Sequence, residues 1–532
     1  LAYDSVPDLL AANAHDSSTS PALVTHGRIW SYGELWEGAR AAAGGLRDVG
    51  LGPGDPVVIA LENGVEFFHA FFGSLVAGGI AVPVFPRSSL ARLRTIAEVC
   101  GAVAIVTSVE PPPGPSSPHA GPRLVTPKEL VGARPLARAV SVEPLGTCYL
   151  QYTSGTTSDP RGVVISHANL LTNIAQVVEA MAITPDDVFV SWMPIYHDMG
   201  LTLLALTPFS VGTRTVLLPA DLRGMATWLA AIGKHKATFT GGSDLAFRLC
   251  ARAGTRERHD LTSLRVAIDA SEPVRASTLE RFESAFGLHR VMMTGYGLAE
   301  ATLAVTCTPR GMPIDVDGRG LVCLGRAIPG TTVAILSGEG ALVRGEVGEI
   351  LVRGPSVCAG YHRNPVATEE LFVHVNGDRY LRTGDLGYLD GAGRLFYVAR
   401  TRDLIKIGGR GLYPQEVEAV VESTPGVRLS AAVGVDAGNL AGEQLVIFAE
   451  VKAPEHRSAQ ELRAIAATIA SALHESLGVR PLRSVLLRPG GIPRTENGKL
   501  QRGQLRDRYV HGLLAPGDVV FHVGRTPSTR SR

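Results

Sequence analysis

At 532 residues the chain is too long for one compact core, and its length fits roughly two to four structural units. Fifty-one Lys and Arg balance 50 Asp and Glu, and a formal net charge of +1 gives no electrostatic case for a nucleic acid or an anionic membrane as partner. No apolar stretch is long enough to span a bilayer. The start, Leu1-Ala2-Tyr3-Asp4-Ser5, has neither the basic nor the apolar region of a signal peptide. It also lacks an initiator Met, as expected of a trimmed chain or one module of a longer one. The six cysteines, Cys100, Cys148, Cys250, Cys307, Cys323 and Cys358, form no C-x-x-C pair. They read as buried free thiols in a reducing cytosol rather than disulfides or zinc ligands, so the expected location is cytoplasmic. Lysine is scarce, with six in all, so each retained Lys invites a specific role.

Short β-rich runs and helical stretches alternate from the start. Ser31-x-x-Glu34 reads as a capping box opening a helix to about Val49. Pro56–Leu61 reads as a buried strand, Gly64–Ala77 as a helix, and Ala81–Val84 and Ala102–Val106 as further strands. This alternation predicts parallel α/β layers. Glu110–Pro115 is a proline-rich loop or spacer. The alternation resumes through Val188–Val190, Thr215–Leu218 and Leu264–Ile268. Between about Val333 and Val398, short strands with glycine turns predict a small β-rich subdomain. We place a domain boundary at 400/401, giving an N-terminal domain over 1–400 and a C-terminal domain over 401–532. The latter reads as compact α+β, with helices at Pro414–Glu422 and Ala459–Leu477 and strands near Ala431 and Val446. The polar stretch Thr526–Arg532 reads as a frayed end. No internal repeat is visible.

The run Tyr152-Thr153-Ser154-Gly155-Thr156-Thr157-Ser158-Asp159-Pro160-Arg161-Gly162 concentrates hydroxyls, small residues and one cation in a tight turn. A polyphosphate needs that set: backbone N–H groups and hydroxyls as donors, with one positive charge. It is not the Walker pattern, because no Gly-Lys-Ser/Thr follows at the required spacing.

Further motifs follow in order: Trp192-Met193-Pro194-Ile195-Tyr196-His197-Asp198-Met199-Gly200, Gly241-Gly242-Ser243-Asp244, Ser271-Glu272-Pro273-Val274-Arg275, Tyr296-Gly297-Leu298-Ala299-Glu300-Ala301-Thr302, Arg382-Thr383-Gly384-Asp385, Arg400-Thr401-Arg402-Asp403, and Pro493-Arg494-Thr495-Glu496-Asn497-Gly498-Lys499. Singly each has a bland reading: Glu300 as a helix-start carboxylate, Asp385 as a turn aspartate, Lys499 as a solvated hairpin lysine. Together and in this order, over about residues 5 to 505, they resemble the acyl-adenylate-forming superfamily. Within it the chain looks most like the fatty acyl-AMP ligases and acyl-carrier-protein synthetases.

The resemblance implies a large multi-subdomain α/β adenylation domain and a small mobile α+β lid. It implies two-step chemistry. A carboxylate attacks the α-phosphate of ATP, Mg-pyrophosphate leaves, and a thiol then attacks the acyl-AMP. By the same resemblance, Thr153, Ser154, Gly155, Thr156, Thr157, Arg161 and Gly162 hold phosphates. Ser271, Glu272, Tyr296, Gly297, Asp385 and Arg400 complete the ATP site, with Tyr296 on adenine and Asp385 on the ribose. Glu300 binds Mg²⁺, for which a hard carboxylate oxygen is suited. Lys499 bridges the substrate carboxylate and α-phosphate, delivered by a domain that turns at Arg402. His197, Asp198, Gly242, Asp244 and Gly297 border the acid. His197 either gates the pocket or steers the thiol, or is a structural histidine held by a backbone carbonyl.

Four departures stand out. Arg161 replaces the usual Lys, which keeps the charge and changes its shape. Ser158 replaces a usual Gly. Ser243-Asp244-Leu245 replaces Pro-Asn-Phe, so Asp244 either holds a substrate ammonium or hydroxyl, or Asp244 or Ser243 caps the helix Leu245–Arg252 and points away. The segment Thr306–Leu324 is short where fatty acyl-AMP ligases carry a long insertion that disfavours coenzyme A. Gly409–Pro414 nevertheless resembles the ligase version of the thiol-side loop. The expected acceptor is therefore a carrier-protein phosphopantetheine, as in polyketide or nonribosomal peptide assembly, with coenzyme A as the alternative. An amino or short polar acid is the alternative substrate. A non-catalytic adenylate-binding protein is the remote alternative.

Overall fold

The structure is a computed structural model that describes residues 3–109, 121–152, 161–221, 224–254, 259–407, 410–436, 443–495 and 498–524. The proline-rich segment from 110, residues 153–160 and the tail beyond 524 lie outside the described residues. Two compact units emerge: 1–346 with 350–383 and 389–396, and 347–349 with 384–388 and 397–532.

The first unit is built on two twisted sheets. Nine strands lie in the order Arg326–Ala327, Ala304–Cys307, Met292–Gly297, Val266–Asp269, Phe239–Gly242, Val188–Ser191, Arg214–Leu217, Pro21–Thr25, Arg28–Ser31. The inner pairs are parallel and antiparallel pairs close both edges. A second sheet orders Arg123–Val125, Ala104–Thr107, Pro56–Ala60, Ile80–Pro83, Thr147–Tyr152 and Gly162–Ser166, parallel except for its last pair. Continuous apolar runs such as Val57-Val58-Ile59 are fully buried, as strands covered on both faces require.

Local chemistry matches the expected boundaries. Ser31 and Glu34 form a reciprocal capping box on Tyr32–Asp48, and Ser458 with Glu461 does the same for Ala459–Leu477. The helix Val65–Val76 runs between caps at Gly64 and Ala77. Its four phenylalanines are buried; Phe67 stacks on Phe71 and Phe68 on Phe72, and Phe68 meets Phe209 edge to face.

The expected β-rich region forms a six-stranded sheet from Thr332–Leu336, Leu342–Val343, Gly348–Arg353, Phe372–Val375, Asp378–Leu389 and Leu395–Arg400. In the second unit, Val427–Asp436, Glu443–Val451, Arg483–Leu487 and Val519–Gly524 form a four-stranded sheet. Its strands alternate between two cores. Leu445, Ile447 and Ala449 pack with Val417, Val421, Ile465 and Leu473 from two helices. Val446 and Phe448 pack on the other face with Leu505 and Tyr509 of Arg502–Val510. Side chains of period two are thus buried on both sides.

All six cysteines are free and buried. Burial pushes the Cys100 thiol up to about 11 and those of Cys307 and Cys358 to about 12, which suits packing and not nucleophilic chemistry. No helix among the described residues is long and apolar enough to cross a membrane.

Candidate active site

In the first unit the motifs leave the carboxyl ends of parallel strands, where open α/β sheets bind ligands. Thr147–Tyr152 leads to the segment from Thr153, Val188–Ser191 to Trp192–Gly200, Phe239–Gly242 to Ser243-Asp244, Val266–Asp269 to Ser271–Arg275, and Met292–Gly297 to Glu300. Thr153, Ser154, Gly155, Thr156, Thr157 and Ser158, expected from the sequence to hold phosphates, lie outside the described residues.

The histidine loop is pinned from two sides. Gln151 Nε2 donates to the Tyr196 carbonyl at 2.9 Å. Asn63 Nδ2 donates to the carbonyls of Met193 and Leu218 at 3.0 and 2.8 Å, and its Oδ1 accepts from Ile195 N–H at 3.0 Å. His197 Nδ1 lies 2.7 Å from Asp198 Oδ1, which also accepts the Met199 amide at 2.6 Å. Both side chains of the pair are partly exposed, at 28% and 14%. A π-helical stretch, Met199–Leu206, follows directly. Such wide turns recur at functional sites.

Glycine is required at position 297 and relieves crowding at position 242. A Cβ at Gly297 would stand 1.7 Å from the Leu303 carbonyl oxygen. At Gly242 it would press on the Trp228 ring at 3.3 Å and on Trp192 Nε1 at 3.4 Å.

Asp244 is buried and its charge is matched within the protein. Oδ1 accepts the Arg275 amide at 3.0 Å, and Oδ2 meets the Arg275 guanidinium at 3.1 Å. The expectation that Asp244 or Ser243 caps the following helix is corrected here. Glu272 Oε1 accepts the Leu245 amide at 2.6 Å, and the buried Ser243 hydroxyl makes no hydrogen bond. The physical reason is that the Ser271–Arg275 segment reaches across from the next strand and supplies both partners. Ser271 itself sits at φ 75°, a strained left-handed backbone for a non-glycine. Its hydroxyl lies 3.2 Å from Met199 Sδ.

Tyr296 is the buried penultimate residue of Met292–Gly297. Glu300 lies in the short turn Ala299–Ala301. Its Oε1 accepts from the Tyr361 hydroxyl at 2.8 Å, and its carbonyl accepts the Cys358 amide at 2.8 Å. Among the described residues no hydrogen bond engages its other carboxylate oxygen, a hard donor of the kind that divalent cations take. Among the described residues no cluster of three His, Cys, Asp or Glu is gathered for a metal. A cation held by one carboxylate and by nucleotide phosphates fits this set better than a protein-enclosed ion. The Arg161 guanidinium stands 5.5 Å from the Tyr361 ring centroid.

The second unit carries the remaining residues. Arg400 Nε donates to the buried Asp385 Oδ1 at 2.9 Å. Arg402 lies exposed in the turn Thr401–Asp403. Asp403 faces Arg502, whose guanidinium also grips Glu418 at 2.8 and 2.7 Å. Lys499 closes a tight loop. Its N–H donates to Thr495 Oγ1 at 3.0 Å and its carbonyl accepts the Thr495 amide at 2.8 Å. The intervening Glu496 and Asn497 lie outside the described residues.

Sequence reasoning missed Asn63, Tyr361 and Glu450. Buried Glu450 accepts the amides of Gly490 and Ile492 at 2.8 and 3.2 Å, anchoring the segment that leads to Lys499. Each acts over a long sequence separation, so no local pattern marks it.

Comparison with known proteins agrees with this geometry. A family model described as AMP-binding enzyme matches residues 10–362, and one for the AMP-binding enzyme C-terminal domain matches 409–504. A long-chain-fatty-acid–AMP ligase of Mycobacterium marinum is 32% identical over 523 residues, covering 86% of this chain and 87% of that protein. A medium-chain-fatty-acid–[acyl-carrier-protein] ligase of Teredinibacter turnerae is 30% identical, covering 87% and 86%. Among solved structures, one from a study of fatty acyl-adenylate ligases from E. coli and L. pneumophila superposes with a TM-score of 0.83 at 27% identity, covering 96% of this chain and 98% of that one. The chain therefore belongs to the AMP-binding enzymes of the acyl-adenylate-forming superfamily, in the branch of the fatty acyl-AMP ligases, and is an ATP-dependent, AMP-forming acid–thiol ligase.

Proposed function

We propose that this ligase activates a fatty or similarly apolar carboxylic acid and passes the acyl group to the phosphopantetheine thiol of a carrier protein. The observation that carries the choice of acid is the Asp244–Arg275 pair. Asp244, the carboxylate whose identity raised the possibility of a substrate ammonium, is already matched by a guanidinium. The names of the relatives, fatty-acid–AMP ligase and fatty-acid–[acyl-carrier-protein] ligase, support the same reading.

In the first step a carboxylate oxygen attacks the α-phosphorus and the bond to the bridging oxygen breaks, releasing pyrophosphate. Two anions must meet, so fixed positive charge and oriented donors lower the barrier. Arg161 and the turn Thr153–Gly162 hold phosphates in this reading, Tyr296 the adenine, and Asp385 with Arg400 the ribose. His197 borders the reacting carboxylate. Glu300 would hold a magnesium ion, which when bound would supply positive charge to offset that of the pyrophosphate. Lys499 supplies the cation between the carboxylate and the α-phosphate, and a flexible ammonium suits a charge delivered and then withdrawn. We place the functional boundary at 400/401, with Arg402 as hinge. The six unpaired buried thiols support a reducing, cytoplasmic setting.

Coenzyme A is the second reading for the acceptor. The short connection between Ala304–Cys307 and Arg326–Ala327 favours it. The deciding experiment is acid-dependent exchange of labelled pyrophosphate into ATP across fatty, hydroxy, and α- and β-amino acids. Acyl transfer to a holo carrier protein and to coenzyme A is then measured. Exchange confined to amino acids overturns the proposed acid. Transfer to coenzyme A alone overturns the proposed acceptor.

A further inference from the structure

Glycine-rich turns that hold phosphates need their flanks fixed, and the strand leaving this turn is fixed by an unexpected partner. Gly360–His362 lies antiparallel along the start of Gly162–Ser166: Val164 N–H donates to the Gly360 carbonyl at 2.9 Å, and His362 N–H donates to the Gly162 carbonyl at 2.8 Å. Two residues earlier, Cys358 N–H donates to the Glu300 carbonyl at 2.8 Å. Tyr361 N–H donates to Thr368 Oγ1 at 2.9 Å, and His362 Nε2 lies 3.1 Å from the Cys100 carbonyl. One short strap therefore joins the exit of the phosphate turn to the turn that carries Glu300.

Tyr361 is the side chain at its centre. Its hydroxyl donates to Glu300 Oε1 at 2.8 Å, and its ring faces the Arg161 guanidinium at 5.5 Å, inside the range of a cation–π contact. A phenol hydrogen bond to one carboxylate oxygen fixes the plane of the carboxylate and directs the other oxygen outward, as partners of metal ligands do. The aromatic face gives the guanidinium a planar surface that an ammonium would use less well.

We propose that Tyr361 is a positioning residue for nucleotide activation: its hydroxyl sets Glu300 for the divalent cation while its ring seats Arg161 for the phosphates. This rests on the reading of Glu300 and Arg161 given above. The ring also gives the Arg at position 161 a structural counterpart, because the two residues form one unit.

Binding of Mn²⁺ to the enzyme–ATP complex, followed by the electron paramagnetic resonance of free Mn²⁺, tests it. Tyr361→Phe keeps the ring and loses the hydroxyl. The Mn²⁺ concentration for half-saturation is expected to rise about tenfold or more, with binding of metal-free ATP unchanged. Tyr361→Leu, which also removes the ring, is expected to weaken metal-free ATP as well. Unchanged Mn²⁺ binding in Tyr361→Phe, with Glu300→Gln weakened, overturns the positioning role alone. Unchanged Mn²⁺ binding in Glu300→Gln overturns the assignment of Glu300 and the proposal with it. A readout that needs no destabilising variant is 3-fluorotyrosine in place of Tyr361. Its ¹⁹F resonance is expected to shift when Mg²⁺ and ATP are added together, and not with ATP alone. Equal shifts under both conditions overturn the link to the cation.

Discussion

Arg275 binds Asp244 twice, through its backbone N–H to Oδ1 at 3.0 Å and through its guanidinium to Oδ2 at 3.1 Å. The aspartate is 1% exposed and the arginine side chain 36%, so one buried charge is balanced by a partner that still reaches water. Truncating such a pair leaves the other partner incompletely satisfied. Asp244→Asn is expected to lower stability by about 2 kcal/mol in denaturant unfolding. The ranking of acids in pyrophosphate exchange is expected to stay unchanged. A switch of preference toward or away from amino acids would restore Asp244 as a specificity residue.

Asp269 contrasts with Asp244. It is fully buried at the end of Val266–Asp269, and neither oxygen has a hydrogen-bond partner. Burial, then the neighbouring charges of Asp244 and Glu272, raise its carboxyl well above the usual carboxylate range. A carboxyl that stays protonated in the folded state while the unfolded state ionises makes folding less favourable as pH rises above the unfolded value near 4. Asp269→Asn is expected to raise the melting temperature at pH 7.5, with the gain fading as pH falls toward 4. A constant gain at both pH values would show that packing, not ionisation, is responsible.

Two histidines act in the opposite sense. Burial lowers His69 and His167 to about 4. His167 Nδ1 accepts the Val6 amide at 3.3 Å, a bond that protonation removes. Below about pH 6.5 the unfolded state takes up protons that the folded state refuses, so stability present above 6.5 is lost as pH falls toward 4. Each site contributes at most about 3 kcal/mol to that loss. Thermal unfolding from pH 7.5 to 4.5 is expected to show the decline, and His167→Gln to flatten it. An unchanged slope in that variant would place the decline elsewhere.

Lys499→Ala is expected to slow acyl-adenylate formation about 100-fold or more while leaving ATP binding and the melting temperature close to those of the parent. The Lys499 backbone is bonded to the amide and hydroxyl of Thr495, bonds that a substitution of the side chain leaves in place. An equal loss of ATP affinity and rate would assign Lys499 to ground-state binding instead.

Glu450→Gln addresses what supports that loop. Its carboxylate receives the amides of Gly490 and Ile492 and pairs with Arg428. The substitution is expected to cost about 2 kcal/mol and to lower the rate of adenylation more than Lys499-independent ATP binding. Unfolding that leaves the rate per folded molecule intact would limit Glu450 to stability.

Much of this was legible in the sequence because it is local. The capping boxes at Ser31 and Ser458, the apolar strand Pro56–Ala60 and the period-two burial of Glu443–Val451 follow from side-chain spacing. The ordered motifs, from Tyr152 to Lys499, mark the family because the chemistry of each is written in consecutive residues. Tertiary structure alone decided the partners. Glu272 rather than Ser243 caps the helix after Gly242, because the neighbouring strand brings its carboxylate within 2.6 Å of the Leu245 amide. Asp244 meets Arg275 at a separation of 31 residues, and Tyr361 meets Glu300 at 61. Sequence periodicity reports which face of an element is apolar. It carries no information about which polar group on a distant segment arrives to satisfy a buried charge, since that depends on how the strands are ordered in the sheet.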